Sequence, residues 1–243
     1  MSDLPLVLVH GFMGGAAQWE LQRGALEQHF NVITPDLPGF ASKSDLKAPD
    51  TIQGFAKHIL DELTVLGVDR FLLLGHSMGG MIVQEMTALA PDRIEKLVLY
   101  GTAATGNLPD RFESFATSKQ RVETDGVEAS ARRISATWFL DYEAAREFEN
   151  CARIAEQSSL QALHAGLDAM QAWARIENLD NISCPTLIIW GEADRTYHRP
   201  QIEQLRNTIP NASLAVLPNC SHAAHMEKPE IFNGVLIDFL FSS

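Results

Sequence analysis

The stretch that decides the fold is residues 71–80, Phe71-Leu72-Leu73-Leu74-Gly75-His76-Ser77-Met78-Gly79-Gly80. It opens with four apolar residues that do not alternate with polar ones, the signature of a strand buried on both faces of a parallel sheet. Residues 81–90 follow, with apolar side chains at 82, 83, 86, 89 and 90, which is one face of a helix; Pro91 stops it. Between strand and helix, Gly75-His76-Ser77-Met78-Gly79 satisfies G-x-S-x-G. A strand-to-helix elbow strains the serine backbone and projects its hydroxyl above the sheet. Gly75 and Gly79 fit that turn because a side chain at either would collide across it.

The same strand signature recurs at Leu6–Val9, Val32–Ile33 and residues 97–100, 187–190 and 214–217, separated by helical patterns. Such alternation implies right-handed βαβ crossovers and an α/β fold with a mainly parallel, doubly wound sheet. It fails between about 103 and 180. That stretch has no convincing strand and reads as helices at 110–121, 126–138, 142–158 and 160–173. A helical insertion between two parallel strands becomes a cap over their carboxyl ends, where open α/β sheets bind ligands. The expected division is a core of residues 1–104 and 181–243 and a helical cap of residues 105–180.

Composition narrows the class. The 243 residues are 46% hydrophobic and 21% charged, which excludes a disordered or collagen-like chain. Lys plus Arg is 19 and Asp plus Glu is 31, so the formal charge is 19 − 31 = −12. A net acidic surface repels nucleic acid and anionic membrane, so neither is an expected partner. Cys151, Cys184 and Cys220 are odd in number and widely spaced, with no C-x-x-C, which argues against a disulfide framework and a zinc site. No signal-peptide pattern and no apolar run of the ~20 residues a membrane helix needs is visible, so a cytoplasmic protein is expected.

A serine hydroxyl needs a base, and the base an orienting acid. In a strand–elbow–helix hydrolase the chain order is Ser, then Asp or Glu, then His. After the strand at 187–190 comes Gly191-Glu192-Ala193-Asp194; Asp194 is the expected acid and Glu192 its competitor. After the strand at 214–217 comes Pro218-Asn219-Cys220-Ser221-His222; His222 is the expected base, with His225 as rival. The remaining histidines, including His76 beside the nucleophile, read as exposed, capping or packed. Acyl chemistry also needs two amide donors for the oxyanion. One is the N–H of Met78, after the nucleophile; the other belongs to the loop His10-Gly11-Phe12-Met13-Gly14-Gly15, through Phe12. No metal and no cofactor is needed.

His10-Gly11-Phe12, Asp36-Leu37-Pro38-Gly39-Phe40 with Ser42 and Ser44, Gly75-His76-Ser77-Met78-Gly79-Gly80, Gly191-Glu192-Ala193-Asp194, and His222 with Glu227-Lys228-Pro229 together resemble the α/β-hydrolase superfamily over essentially the whole chain. In that family the active-site histidine lies five residues before the glutamate of E-x-P, a spacing that also selects His222. Relatives usually begin with a β-hairpin before the H-G loop; here the first strand starts at about Pro5. The resemblance therefore implies a shorter sheet whose open edge invites pairing with a second copy, giving a monomer or homodimer.

The resemblance also ranks substrates. Haloalkane dehalogenases and epoxide hydrolases of this superfamily use Asp as nucleophile, where this chain has Ser77. Carbon–carbon bond hydrolases carry Asn before the serine and Trp after the histidine, where this chain has His76 and Ala223. The cap is most similar to that of 3-oxoadipate enol-lactonases, but Thr137 stands where they carry Arg before the Trp-Phe pair; Arg132 or Arg133 could replace it for a substrate carboxylate. The expected pocket lining is Trp138 first, with Met13, Phe139 and Met170. The implied activity is hydrolysis of a small carboxylic ester or lactone through an acyl-enzyme. The alternatives are a C–C hydrolase or lyase acting on a small carboxylated metabolite, and a non-catalytic receptor of the same fold.

Overall fold

A computed structural model of the chain describes residues 4–108, 111 and 113–242. The strands are β1 (Leu6–Val9), β2 (Val32–Ile33), β3 (Phe71–His76), β4 (Ile94–Tyr100), β5 (Thr186–Gly191) and β6 (Ala212–Leu217). They form one sheet in the order β2-β1-β3-β4-β5-β6. Every neighbouring pair is parallel, so the sheet is wholly parallel among the described residues rather than mainly so. The edge strand β2 has only two residues, which leaves little unpaired backbone to offer another chain.

The helices are α1 (Glu20–Leu26), α2 (Ile52–Val65), α3 (Met78–Leu89), α4 (Phe115–Ala136), α5 (Phe148–Ala155), α6 (Leu160–Ala172), α7 (Arg199–Thr208), α8 (Ala224–Glu227) and α9 (Pro229–Phe241). Several begin where the sequence supplies a side-chain cap. Thr51 accepts from the Gly54 N–H at α2, and Ser159 from the Ala162 N–H at α6, both at 3.1 Å.

Successive strand residues point to opposite faces, and each face has its own core. Val7, Val9, Leu73, Leu97, Leu99 and Ile188 pack with α2, α3 and α7. Leu6, Leu8, Leu74, Val98, Tyr100 and Ile189 pack with Trp19, Leu26 and Phe30 near α1 and with Phe232, Leu236 and Leu240 of α9. Continuous apolar runs in the inner strands are the consequence, since neither of their faces meets water; the run at 214–217 belongs to the edge strand β6, where Ser213 and Val216 are exposed.

The insertion between β4 and β5 carries α4, α5 and α6. Its two ends pair: the Gly106 N–H donates to the Trp173 carbonyl at 3.1 Å and the Arg175 N–H to the Ala104 carbonyl at 2.7 Å. Helix α4 is two helices joined at Gly126, whose φ of 82° breaks the run near where the sequence separated 110–121 from 126–138. The helix start expected at Asp110 lies outside the described residues. The helix expected at 142–158 is shorter: Tyr142–Ala144 is a 3-10 turn, and α5 starts at Phe148. The reason is tertiary. Arg195 stacks on the Tyr142 ring at 4.3 Å and donates to the Phe139 and Leu140 carbonyls, holding that segment in a turn. Phe115, Ile134 and Trp138 of the cap share one apolar cluster with the cap-side strands and helices. No helix among the described residues is long and apolar enough to cross a membrane.

Candidate active site

Ser77 stands alone between β3 and α3, with φ 56° and ψ −118°. A non-glycine residue pays strain in that region, and the surroundings must over-determine it. They do: its N–H donates to the Tyr100 carbonyl at 2.9 Å, and the Thr102 hydroxyl donates to its carbonyl at 2.8 Å. The flanking glycines are required by close approach. A Cβ at Gly75 would stand 2.6 Å from the Gly79 carbonyl carbon; one at Gly79 would stand 2.5 Å from the His10 carbonyl oxygen.

Asp194 lies in the loop after β5 and is buried; Glu192 is exposed. The Asp194 carboxylate accepts three hydrogen bonds. Oδ1 takes the backbone N–H of Thr196 at 2.7 Å and of Tyr197 at 3.2 Å, and Oδ2 takes His222 Nδ1 at 2.9 Å. That last bond fixes the tautomer: Nδ1 carries the proton, so Nε2 carries the lone pair a base needs. His222 follows β6 in a loop of its own and is itself held from behind. Its carbonyl accepts from the Tyr100 hydroxyl at 2.8 Å and from His76 Nε2 at 3.1 Å. Because the Tyr100 proton is committed there, the tyrosine oxygen accepts from the His225 N–H at 3.1 Å and from His225 Nδ1 at 3.0 Å. His225 is therefore bound to Tyr100 behind His222 and does not line the cleft. Burial pushes His225 down to about 3 and His76 well below the usual imidazole value, so both stay neutral behind His222.

The loop after β1 lies against Ser77: a Cβ on Gly11 would come 3.0 Å from Ser77 Cβ. His10 braces this loop. Its Nε2 accepts from the Leu37 N–H at 2.9 Å, so Nδ1 donates to the Gly11 carbonyl at 2.8 Å. Burial pushes His10 to about 4, which keeps the ring neutral. Phe12 follows, and Met78 is the first residue of α3, where N–H groups have no intrahelical partner. Among the described residues neither amide donates to a protein acceptor.

Ser77, His222, Phe12, Trp138 and Met170 line one cleft beneath the cap. Met13 and Phe139 do not. Met13 is wholly buried in the core. Phe139 is likewise wholly buried in the core, and the groove it borders is a separate one beside Met226 and Lys228. Arg132 and Arg133 also lie off the cleft: Arg132 pairs with Glu149 and Glu156, Arg133 with Glu113. The sequence reading missed three polar residues that do line the cleft, Arg111, Thr196 and Tyr197. Tyr197 is buried, and burial pushes its phenol up to about 12, so it is neutral. Its one sequence signal is an aromatic three residues beyond the acid.

The cap is fastened to the acid and base loops by one short segment, Trp138 to Leu140. Glu227 of the E-x-P accepts the Leu140 N–H at 2.7 Å and the Ser221 N–H at 2.6 Å, next to His222. The Ala223 N–H donates to the Trp138 carbonyl at 2.9 Å, and Arg195 Nη1 to the Phe139 carbonyl at 2.7 Å. Cap and base therefore share one register, with the Trp138 ring 6.1 Å from that of His222. Among the described residues no group of three or more His, Cys, Asp or Glu side chains could hold a metal ion.

Comparison with known proteins agrees with this architecture. The family described as alpha/beta hydrolase fold matches residues 5–229. A putative carbamate hydrolase of Pseudomonas savastanoi pv. phaseolicola is 28% identical, over 98% of this chain and 95% of the relative. A pimeloyl-[acyl-carrier protein] methyl ester esterase of Yersinia enterocolitica is 25% identical, over 98% of this chain and 93% of its own. Among solved structures, the enol-lactonase of Burkholderia xenovorans LB400 superposes with a TM-score of 0.90 at 25% identity, over 99% of this chain and 93% of that one.

Proposed function

The chain belongs to the α/β-hydrolase family, and from that premise we propose that it is a serine hydrolase of a small carboxylic ester or lactone, working through an acyl-enzyme. The observation that carries this reading is the buried 2.9 Å bond from His222 Nδ1 to Asp194 in the cleft that Ser77 lines. His222 Nε2 takes the Ser77 proton as the hydroxyl oxygen attacks the acyl carbonyl. The Phe12 and Met78 amides stabilise the oxyanion; one such donor is typically worth about 3 kcal/mol in the transition state. His222 returns its proton to the leaving alkoxide, and the acyl group stays on Ser77. A water deprotonated by His222 then releases the acid. Asp194 keeps the imidazole oriented throughout and stabilises it while it is charged.

The carbamate, methyl ester and enol-lactone in the names of the similar proteins each contain an acyl carbonyl, which supports this chemistry without selecting among the three. The test is Ser77→Ala. It removes the nucleophile from a site whose fold does not depend on the hydroxyl, so hydrolysis of 4-nitrophenyl acetate and labelling by a fluorophosphonate should both vanish while the circular dichroism spectrum is unchanged. Retained turnover in a correctly folded variant would overturn the proposal.

A further inference from the structure

Two buried tyrosines lie against His222, and they are held differently. The Tyr100 hydroxyl is committed to the His222 carbonyl and to His225. Tyr197 is fixed through its backbone: its N–H donates to Asp194 Oδ1 at 3.2 Å, and its carbonyl accepts from Trp190 Nε1 at 2.8 Å. Its hydroxyl takes no part in the hydrogen bonds that hold Asp194 and His222. The Tyr197 ring lies 5.6 Å from the His222 ring, at an interplanar angle of 31°, and Tyr197 lines the cleft with Ser77 and His222.

The sheet order sets which side of a bound ester this residue meets. Ser77 stands at the end of β3. The Phe12 loop follows β1, on one side of β3; the Tyr197 loop follows β5, on the other side, toward β6 and His222. The oxyanion belongs to the Phe12 side, and the leaving oxygen faces His222, which must protonate it. Tyr197 therefore stands with the base. Burial pushes its phenol up to about 12, so it keeps its proton at neutral pH and remains a donor.

We propose that Tyr197 is a further catalytic residue, whose phenol donates a hydrogen bond to the leaving oxygen of the ester. The proposal rests on the hydrolase reading above. As the tetrahedral intermediate collapses, the bond from carbon to leaving oxygen breaks and its electron pair goes to that oxygen. His222 Nε2 gives the oxygen its proton, the oxyanion pair re-forms the carbonyl, and the Tyr197 proton stays on the phenol. A fixed donor at that oxygen lowers the barrier most when the departing group is a strongly basic alkoxide. A leaving group that carries its own charge well gains little.

The experiment compares ethyl, 2,2,2-trifluoroethyl and 4-nitrophenyl acetate, in falling order of leaving-group basicity. All three give the same acetyl-enzyme, so kcat/KM reads acylation alone. Tyr197→Phe removes the hydroxyl and keeps the ring and both backbone bonds. It should lower kcat/KM about ten- to hundredfold on ethyl acetate, less on the trifluoroethyl ester, and less than about threefold on 4-nitrophenyl acetate, the scale of one hydrogen bond to a developing charge. Each preparation is measured on all three esters, so partial misfolding cancels in the comparison. Tyr197→Leu, also without the hydroxyl, takes its place if Tyr197→Phe does not fold. Equal losses on the three esters, or no loss on ethyl acetate, overturn the role of Tyr197 and leave the hydrolase reading standing. A wild type that cleaves none of the three overturns the hydrolase reading and this role with it.

Discussion

The burial of Asp194 against His222 gives the acid a job that charge alone does not describe. Its carboxylate takes two backbone N–H groups on Oδ1, which orients Oδ2 on the imidazole. Asp194→Asn keeps the shape but can present an N–H to Nδ1, which then must accept, leaving the proton on Nε2. The expected result is a fall in kcat of about 10,000-fold with the fold retained, as wrong-tautomer variants of such triads behave. Ester turnover and a thermal melt on one preparation check both halves. That Asp194 would meet His222, and that His222 and Ser77 would share a cleft, was legible in the sequence because acyl chemistry restricts each position to one or two residue types and the fold fixes their chain order. Arg111 and Tyr197 were not. An arginine between strand and helix, or an aromatic in a loop, becomes part of a site only through the path its loop takes.

At the scale of elements, the joint between cap and core is held by close backbone approach. A Cβ on Gly106 would stand 2.6 Å from the Met170 carbonyl carbon and nearer still to its oxygen, and backbone cannot yield as a flexible side chain does. Gly106→Ala should therefore destabilise the protein by about 1–3 kcal/mol, the usual range for overpacking. It should also raise KM, since Met170 lines the cleft. Gly24 in α1 and Gly234 in α9 have nothing within 4 Å of an added methyl, so alanine there should be neutral or stabilising by up to about 1 kcal/mol. Urea midpoints for the three variants separate the cases; equal effects would contradict the steric account. Strand positions and the break at Gly126 could be read from the sequence, because apolar runs and glycine act locally. The 3-10 turn at Tyr142–Ala144 could not, because Arg195, some fifty residues away, holds it.

For the whole molecule, three buried neutral histidines set the acid limit. Burial pushes His10 to about 4 and His225 to about 3, and His76 well below 6.5. In the unfolded chain each is an ordinary imidazole that binds a proton near pH 6.5. The unfolded state thus binds more protons below that value, and stability must fall as pH falls. It is complete above about pH 7.5 and declines from about pH 6.5 toward 4; at pH 5 His10 and His225 each contribute a loss of about 2 kcal/mol, with His76 adding to it. Urea midpoints at pH 7.5 and 5.0 test this, and equal midpoints would show that these groups are not buried neutral. By itself the sequence determined the α/β architecture, the elbow at Ser77 and the residue types of an acid and a base, because periodicity, glycine sterics and the demands of acyl chemistry act over short spans. Only the tertiary structure decided what faces the cleft: it buried Phe139 in the core, paired Arg132 and Arg133 with glutamates, and brought Arg111 and Tyr197 in. Facing is set by packing between segments far apart in the chain, and no local pattern encodes it.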